Sequence, residues 1–136
     1  MDRAALQKVL YVDDEPDIRQ VVQLALGLLS NVTTHTADGG EQAIEMARAS
    51  RPDLVLLDVM MPGLDGPNTL MRLREDPQLK EIPVIFMTAK AMPREVARFR
   101  AMGAAGVIAK PFDPMQLGKQ VMALWESIPV ELPMHG

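Results

Sequence analysis

The sequence predicts an α/β protein: a doubly wound, five-stranded parallel sheet inside a three-layer sandwich. Three observations carry that expectation. Short apolar runs alternate with segments of helical period five times along the chain, the order that gives a parallel sheet covered on both faces. The clearest runs are apolar without alternation, as strands are when both faces are buried. The runs also end in charged or polar residues, and ligands of such sheets bind beyond the carboxyl ends of the strands. Right-handed crossovers make the doubly wound arrangement the economical one.

Taken in order, Val9-Leu10-Tyr11-Val12 reads as the first strand and stops at Asp13-Asp14-Glu15. Pro16 suits a first helical turn, where a missing N–H costs nothing, and Ile18, Val21, Val22, Ala25, Leu28 and Leu29 continue at helical spacing. Asn31 to Thr36 is a weaker strand, rich in β-branched residues. After Gly39-Gly40, the residues Ala43, Ile44 and Ala47 mark a short helix. Asp53 to Asp58 is a second clear apolar strand, again ending in a carboxylate. Met61 to Gly66 is a loop by its Pro and Gly content. Thr69 to Glu75 is helical, and Ile82 to Met87 is a buried strand with Pro83 near its start. Pro93 to Met102 is a helix with Gly103 as its stop. Ala105 to Ala109 is the last strand, and Asp113 caps a helix from Pro114 to about Ser127. The predicted organisation is one domain over residues 1–127 and a flexible tail over 128–136, which holds Pro129 and Pro133.

Composition narrows the function classes. The 136 residues are 48% hydrophobic and 24% charged, as in an ordinary globular domain. A net charge of −4 speaks against nonspecific grip on nucleic acid or anionic membrane. The chain has no cysteine, which excludes disulfides, thiolate metal sites and cysteine nucleophiles. Only His35 and His135 are present, which disfavours a multi-histidine metal site. No signal peptide or membrane-spanning stretch is visible, so the expected compartment is the cytoplasm, without membrane insertion.

Chemistry is expected where the strands end. Asp13, Asp14 and Asp58 bring carboxylates, Thr88 a hydroxyl and Lys110 an ammonium. If the fold gathers them, each like-charge carboxylate pair costs about 4 kcal/mol at about 4 Å and an effective dielectric near 20. A hard divalent cation offsets that repulsion, and Mg²⁺ commonly takes one or two carboxylates. Carboxylate, Mg²⁺, ammonium and hydroxyl together form apparatus for phosphoryl transfer, with Asp58 as a nucleophile that would become an acyl phosphate. Taken singly, each residue has a blander role as helix-terminal charge, turn residue or solvated lysine. Their joint placement at successive strand ends is what favours the site.

These residues resemble the receiver domain of two-component response regulators. The matching stretches are Val9 to Glu15, Leu56 to Gly66, Pro83 to Ala89, and Gly103-Ala104 through Lys110-Pro111-Phe112. The resemblance implies a flavodoxin-like (βα)5 fold and a phosphoacceptor switch. Asp58 would take a phosphoryl group from a histidine kinase or phosphotransfer protein. Mg²⁺ would be held by Asp13, Asp14, Asp58 and the backbone carbonyl of Met60. Thr88 would move to the phosphoryl group, Lys110 would pair with it, and the bond before Pro111 would be cis. The helices between Pro93 and Ser127 would present the responsive face. The implied chemistry is confined to the chain's own phosphorylation and dephosphorylation. The implied assembly is a monomer or weak dimer with no direct nucleic-acid contact. No output domain fits in residues 128–136, so the expectation is a single-domain receiver or a receiver cut from a longer protein.

One position departs from the family pattern. Receivers commonly carry Tyr or Phe three residues before the lysine, and here that residue is Val107. A branched aliphatic cannot report a switch by swinging a ring, so either the backbone of the 88–93 loop carries the signal or the readout differs. Phe86 and Phe112 are expected to pack in the core, and Met60 and Lys90 to flank the phosphoryl site. Lys90, Arg94, Arg98 and Arg100 form a basic cluster opposed locally only by Glu95, either a solvated face or a surface for an acidic partner. Three rivals remain: a receiver-like interaction module that is never phosphorylated, an aspartate-nucleophile phosphatase of the haloacid dehalogenase type, and a flavodoxin-like cofactor binder. The second wants an acid where Met60 stands. The third lacks a phosphate loop after the first strand, where Asp13-Asp14-Glu15 would repel a phosphate without metal.

Overall fold

The structure, a computed structural model, describes residues 4–129. The strands are β1 (Lys8–Val12), β2 (Thr33–Ala37), β3 (Leu54–Asp58), β4 (Val84–Thr88) and β5 (Gly106–Ala109). They alternate with α1 (Pro16–Leu26), α2 (Gly40–Ser50), α3 (Gly66–Glu75), α4 (Pro93–Ala101) and α5 (Pro114–Ser127). All strands are parallel in the order β2-β1-β3-β4-β5, the flavodoxin-like (βα)5 arrangement. The tail expected from Ile128 onward lies, beyond Pro129, outside the described residues. No helix among the described residues is long and apolar enough to cross a membrane.

The period-2 alternation of strand side chains divides the core into two layers. Leu10, Val12, Val55, Leu57, Val84 and Phe86 pack with apolar residues of α2, α3 and α4. Val9, Tyr11, Leu54, Leu56, Ile85 and Met87 pack on the other side with α1 and α5. Because β1, β3 and β4 are central, both sets are buried, which explains why these runs lack polar alternation.

Local chemistry fixes the helix ends. Four helices, α1, α3, α4 and α5, carry proline in the first turn. Asp65 and Asp113 cap α3 and α5, their carboxylates accepting from Asn68 N–H and Met115 N–H, so Asp113 acts as the sequence predicts. Several boundaries differ from expectation: α3 starts at Gly66 rather than Thr69, and β4 at Val84 rather than Ile82. The first helix ends at Leu26, followed by Gly27, and leaves Leu28 68% exposed. The weak strand begins at Thr33, because Asn31 turns the chain at φ 64°, a region asparagine tolerates better than most residues.

Candidate functional site

The carboxyl ends of β1, β3, β4 and β5 open on one rim. Asp13 follows β1 directly, Asp58 closes β3, Thr88 closes β4, and Lys110 follows β5. Register aligns them: Val12 pairs with Leu57, Asp58 with Met87, and Thr88 with Ala109. The Lys110 N–H donates to the Thr88 carbonyl at 2.8 Å, and the Asp13 N–H to Ala37 at 3.1 Å, so the backbone stays paired up to the rim.

Asp13, Asp14 and Asp58 each offer an oxygen within 4.8 Å of the others. Asp13 and Asp58 are buried, whereas Asp14 is exposed. The Lys110 Nζ donates to Asp58 Oδ1 at 3.2 Å and to Asp13 Oδ2 at 3.4 Å. One ammonium therefore faces three carboxylates, and the site remains short of positive charge. Burial raises the Asp58 carboxyl above its ordinary range; Lys110 opposes this, and Asp13 and Asp14 add to it. Burial pulls the Lys110 ammonium down, but the attraction of Asp58 and Asp13 outweighs it and the net direction is upward. The donor set of hard, clustered, undercompensated oxygens suits a divalent cation such as Mg²⁺.

Thr88 is buried, on the β4 face shared with Val84 and Phe86. Its hydroxyl accepts the Lys90 N–H at 3.0 Å. Met60 lies in the loop after β3 with its side chain 75% exposed, beside the cluster in sequence and apart from the core. Lys90 is exposed as well. The Lys110–Pro111 bond is cis. Val107 is half-buried against the α2–α4 core layer. Phe86 is buried, and Phe112 packs on the α1–α5 layer while its ring also lines a cavity. That cavity, of about 320 Å³, lies beside Lys110 among Ile18, Val21, Ala89, Pro111 and Phe112.

Three contributors escape a reading of the sequence alone. Tyr11, fully buried, donates its hydroxyl to Asp13 Oδ2 at 2.6 Å. Burial first, then the bond to Asp13, pushes its ionisation far upward, so it stays a donor. Arg19 donates to the Asp13 carbonyl at 2.7 Å. Gly66 donates its N–H to Val59 at 3.0 Å, and a Cβ there would stand 2.6 Å from the Asp58 carbonyl oxygen. The loop after β3 thus closes back only because Gly66 has no side chain. Alternation along β1, which sets Tyr11 and Asp13 on one face, is the signal that identifies Tyr11. Gly66 has no local signal, since its neighbours come from the preceding strand.

Comparison with known proteins gives one consistent result. Residues 9–122 match the family model described as the response regulator receiver domain. The chain is 39% identical over 116 residues to the transcriptional regulatory protein CseB of Streptomyces coelicolor, covering 85% of this chain and 48% of that protein. It is 36% identical over 109 residues to the response regulator Rre1 of Synechocystis sp., covering 80% and 47%. The chain thus spans about half the length of these curated relatives. Among solved structures, the chemotaxis response regulator CheY4 of Vibrio cholerae superimposes with a TM-score of 0.80 at 32% identity, covering 88% of this chain and 99% of that one.

Proposed function

Because this chain belongs to the response regulator receiver domain family, whose members act as phosphoacceptor switches in two-component signalling, we propose that Asp58 is its phosphoacceptor. The single observation that carries this reading is the buried Asp58 carboxylate at 3.2 Å from Lys110, inside a three-carboxylate cluster. A histidine kinase or phosphotransfer protein is the donor. An Asp58 carboxylate oxygen attacks the phosphorus of its phosphohistidine, the P–N bond breaks, a P–O bond forms, and the leaving imidazole regains a proton. The cavity beside Lys110, lined by Ile18, Val21, Pro111 and Phe112, supports docking of that donor at the rim.

Asp13, Asp14 and Asp58, with the Met60 carbonyl, are the residues that would hold Mg²⁺. When bound, the ion neutralises charge spreading over the phosphoryl oxygens. Lys110 supplies a fixed positive charge on the same oxygens. Tyr11 and the Glu15 N–H, donating to Asp13 at 2.6 and 2.9 Å, hold that carboxylate in place. Thr88 leaves Lys90 for the phosphoryl group, and this exchange shifts the population of the 88–93 segment. With Val107 in β5, the backbone beside Thr88 carries the signal and no ring swings inward.

The test is intact-mass analysis after incubation with Mg²⁺ and acetyl phosphate. A single acid-stable, base-labile phosphoryl adduct is expected, one that does not form when Mg²⁺ is chelated beforehand and is absent in Asp58→Asn. Repeated turnover of a free phosphate ester would mark a phosphatase instead. Absence of any adduct, with partner binding intact, would mark the unphosphorylated interaction module that Val107 favours.

A further inference from the structure

Tyr11 is the only tyrosine of the chain, and its hydroxyl lies inside the acidic site. The residue is fully buried in the α1–α5 layer with Leu54, Leu56 and Met87, so the phenol reaches Asp13 from a rigid part of the core. The three carboxylates are unequally supplied with donors. Asp13 Oδ2 accepts the Tyr11 hydroxyl at 2.6 Å and the Lys110 Nζ at 3.4 Å, while Asp13 Oδ1 accepts the Glu15 N–H at 2.9 Å. Asp58 Oδ1 accepts Lys110 at 3.2 Å. Among the described residues, Tyr11 and Lys110 are the side chains that donate to Asp13, Asp14 or Asp58. One oxygen, Asp13 Oδ2, therefore holds both of them, and the shorter bond goes to the neutral donor rather than to the cation.

That order has a chemical consequence. A hydroxyl bonded to a carboxylate oxygen fills one of its lone-pair directions and draws off part of its charge. What remains attracts a cation less, and Lys110 stands nearer to Asp58 than to Asp13. Without the Tyr11 hydroxyl, Oδ2 of the fully buried Asp13 would depend on Lys110 alone. Taking the last donor from a buried carboxylate oxygen is costly, so Asp13 would then hold the ammonium fast. With Tyr11 in place, Asp13 keeps a donor when phosphoryl oxygens draw Lys110 toward Asp58. Burial and the bond to Asp13 push the ionisation of Tyr11 far upward, so the phenol remains a donor throughout. The Glu15 N–H holds the other oxygen and fixes the orientation of Asp13 independently of the phenol.

We propose that Tyr11 is a positioning residue for phosphoryl acceptance: by occupying Asp13 Oδ2, its hydroxyl weakens the hold of Asp13 on both Lys110 and Mg²⁺ and leaves the ammonium for the phosphoryl oxygens on Asp58. Tyr11 acts through Asp13, the one group in the site that it touches with a polar atom. This role rests on Asp58 being the phosphoacceptor, as proposed above. It adds a residue whose loss moves two affinities of the same site in opposite directions.

Mg²⁺ binding to the full chain is measured by isothermal titration calorimetry, and beryllofluoride uptake at saturating Mg²⁺ by fluorine NMR. Tyr11→Phe should bind beryllofluoride about tenfold more weakly, the scale of one hydrogen bond to a charged group. The same variant should bind Mg²⁺ about threefold more tightly, because Asp13 regains the charge that the phenol drew off. Since the chain has one tyrosine, growth on a ring-fluorinated tyrosine alters Tyr11 alone. Its more acidic hydroxyl is the stronger donor, so both affinities should move the other way, each by roughly twofold. A tyrosine that only fills space would weaken both ligands together in Tyr11→Phe and leave the fluorinated protein like the parent. Circular dichroism confirms that each protein is folded; should Tyr11→Phe fail to fold, the fluorinated protein decides. The proposal is overturned if Tyr11→Phe takes up beryllofluoride like the parent, if its Mg²⁺ affinity fails to rise, or if ring fluorination shifts neither affinity. A parent that binds Mg²⁺ but takes up no beryllofluoride would strike the phosphoacceptor assignment and this role with it. Uptake by the parent beside an unchanged Tyr11→Phe would strike this role alone.

Discussion

Helices α5 and α4 flank the same edge strand yet are held in very different ways. Over fourteen residues α5 buries Leu117, Gly118, Val121 and Trp125, and the Trp125 indole N–H donates to the Ala4 carbonyl at 3.0 Å. A Cβ at Gly118 would stand 3.1 Å from a methyl of Leu29, so glycine lets α5 approach the chain after α1 closely. Over nine residues α4 buries Phe99 alone, which meets Phe86 edge-on with ring centroids 4.9 Å apart. One side of the sheet carries a helix pinned at several points. The other carries a helix hung on a single aromatic side chain, joined by a short loop to the buried hydroxyl of Thr88. A switch needs an element of low local stability next to a rigid frame, and the difference between the two helices supplies both.

The sharpest way to break this comparison is to remove one anchor from each helix. Phe99→Ala should cost about 3–5 kcal/mol and Leu117→Ala about 2–5 kcal/mol, measured by denaturant unfolding. The discriminating readout is native-state hydrogen exchange. After Phe99→Ala, protection should collapse selectively over residues 93–101; after Leu117→Ala, it should fall across the domain. Uniform loss in both variants would show that α4 is not separately labile.

A smaller effect concerns the charge balance of the rim. Lys110→Ala leaves the buried carboxylates of Asp13 and Asp58 facing each other without their ammonium. A loss of about 1–3 kcal/mol is expected without metal. Ligand linkage predicts that millimolar Mg²⁺ raises the melting temperature of this variant, and that a chelator reverses the gain. No response to Mg²⁺ in either variant or parent would remove the metal from the site.

The smallest effect is in pH dependence. Folding raises the Asp58 carboxyl above its ordinary 3.8, chiefly through burial. The folded state therefore holds a proton that the unfolded chain has already released. The contribution of Asp58 to stability is complete below pH 3.8 and declines as pH rises through its folded-state value. Asp58→Asn has no such ionisation, so its stability relative to the parent should increase over that window and level off above it. Parallel stability–pH curves for the two proteins would contradict the assignment.

How much of this was legible in the residues follows from the range of the forces involved. Unbroken apolar runs at Val9–Val12, Leu54–Leu57 and Val84–Met87 identify the central strands without any coordinates, because burial on both faces leaves no place for a polar side chain. First-turn prolines such as Pro16 and the cap Asp113 mark helix starts through contacts a few residues away, whereas Asp65 reads as part of a loop and its capping of α3 emerges only in the structure. The edge strand β2 was less legible: its Thr33-Thr34-His35-Thr36 stretch is only partly buried, and Asn31 breaks the pattern just before it. Asp13, Asp14, Asp58, Thr88 and Lys110 stand out because each sits at or beside a strand end, where a parallel sheet exposes its chemistry.

Sequence alone therefore determined the fold class, the order of the elements and the residues on the rim, since these depend on periodicity and on interactions within a few residues. Tertiary structure alone decided that one Lys110 ammonium spans Asp13 and Asp58, that Gly66 must yield space to the backbone of Asp58, and that the Lys90 N–H donates to the Thr88 hydroxyl. Most of those facts join groups far apart along the chain, and the contact between Lys90 and Thr88 depends on the path of a loop. Distance in space and the direction of a hydrogen bond are fixed only when the sheet has brought its strand ends together.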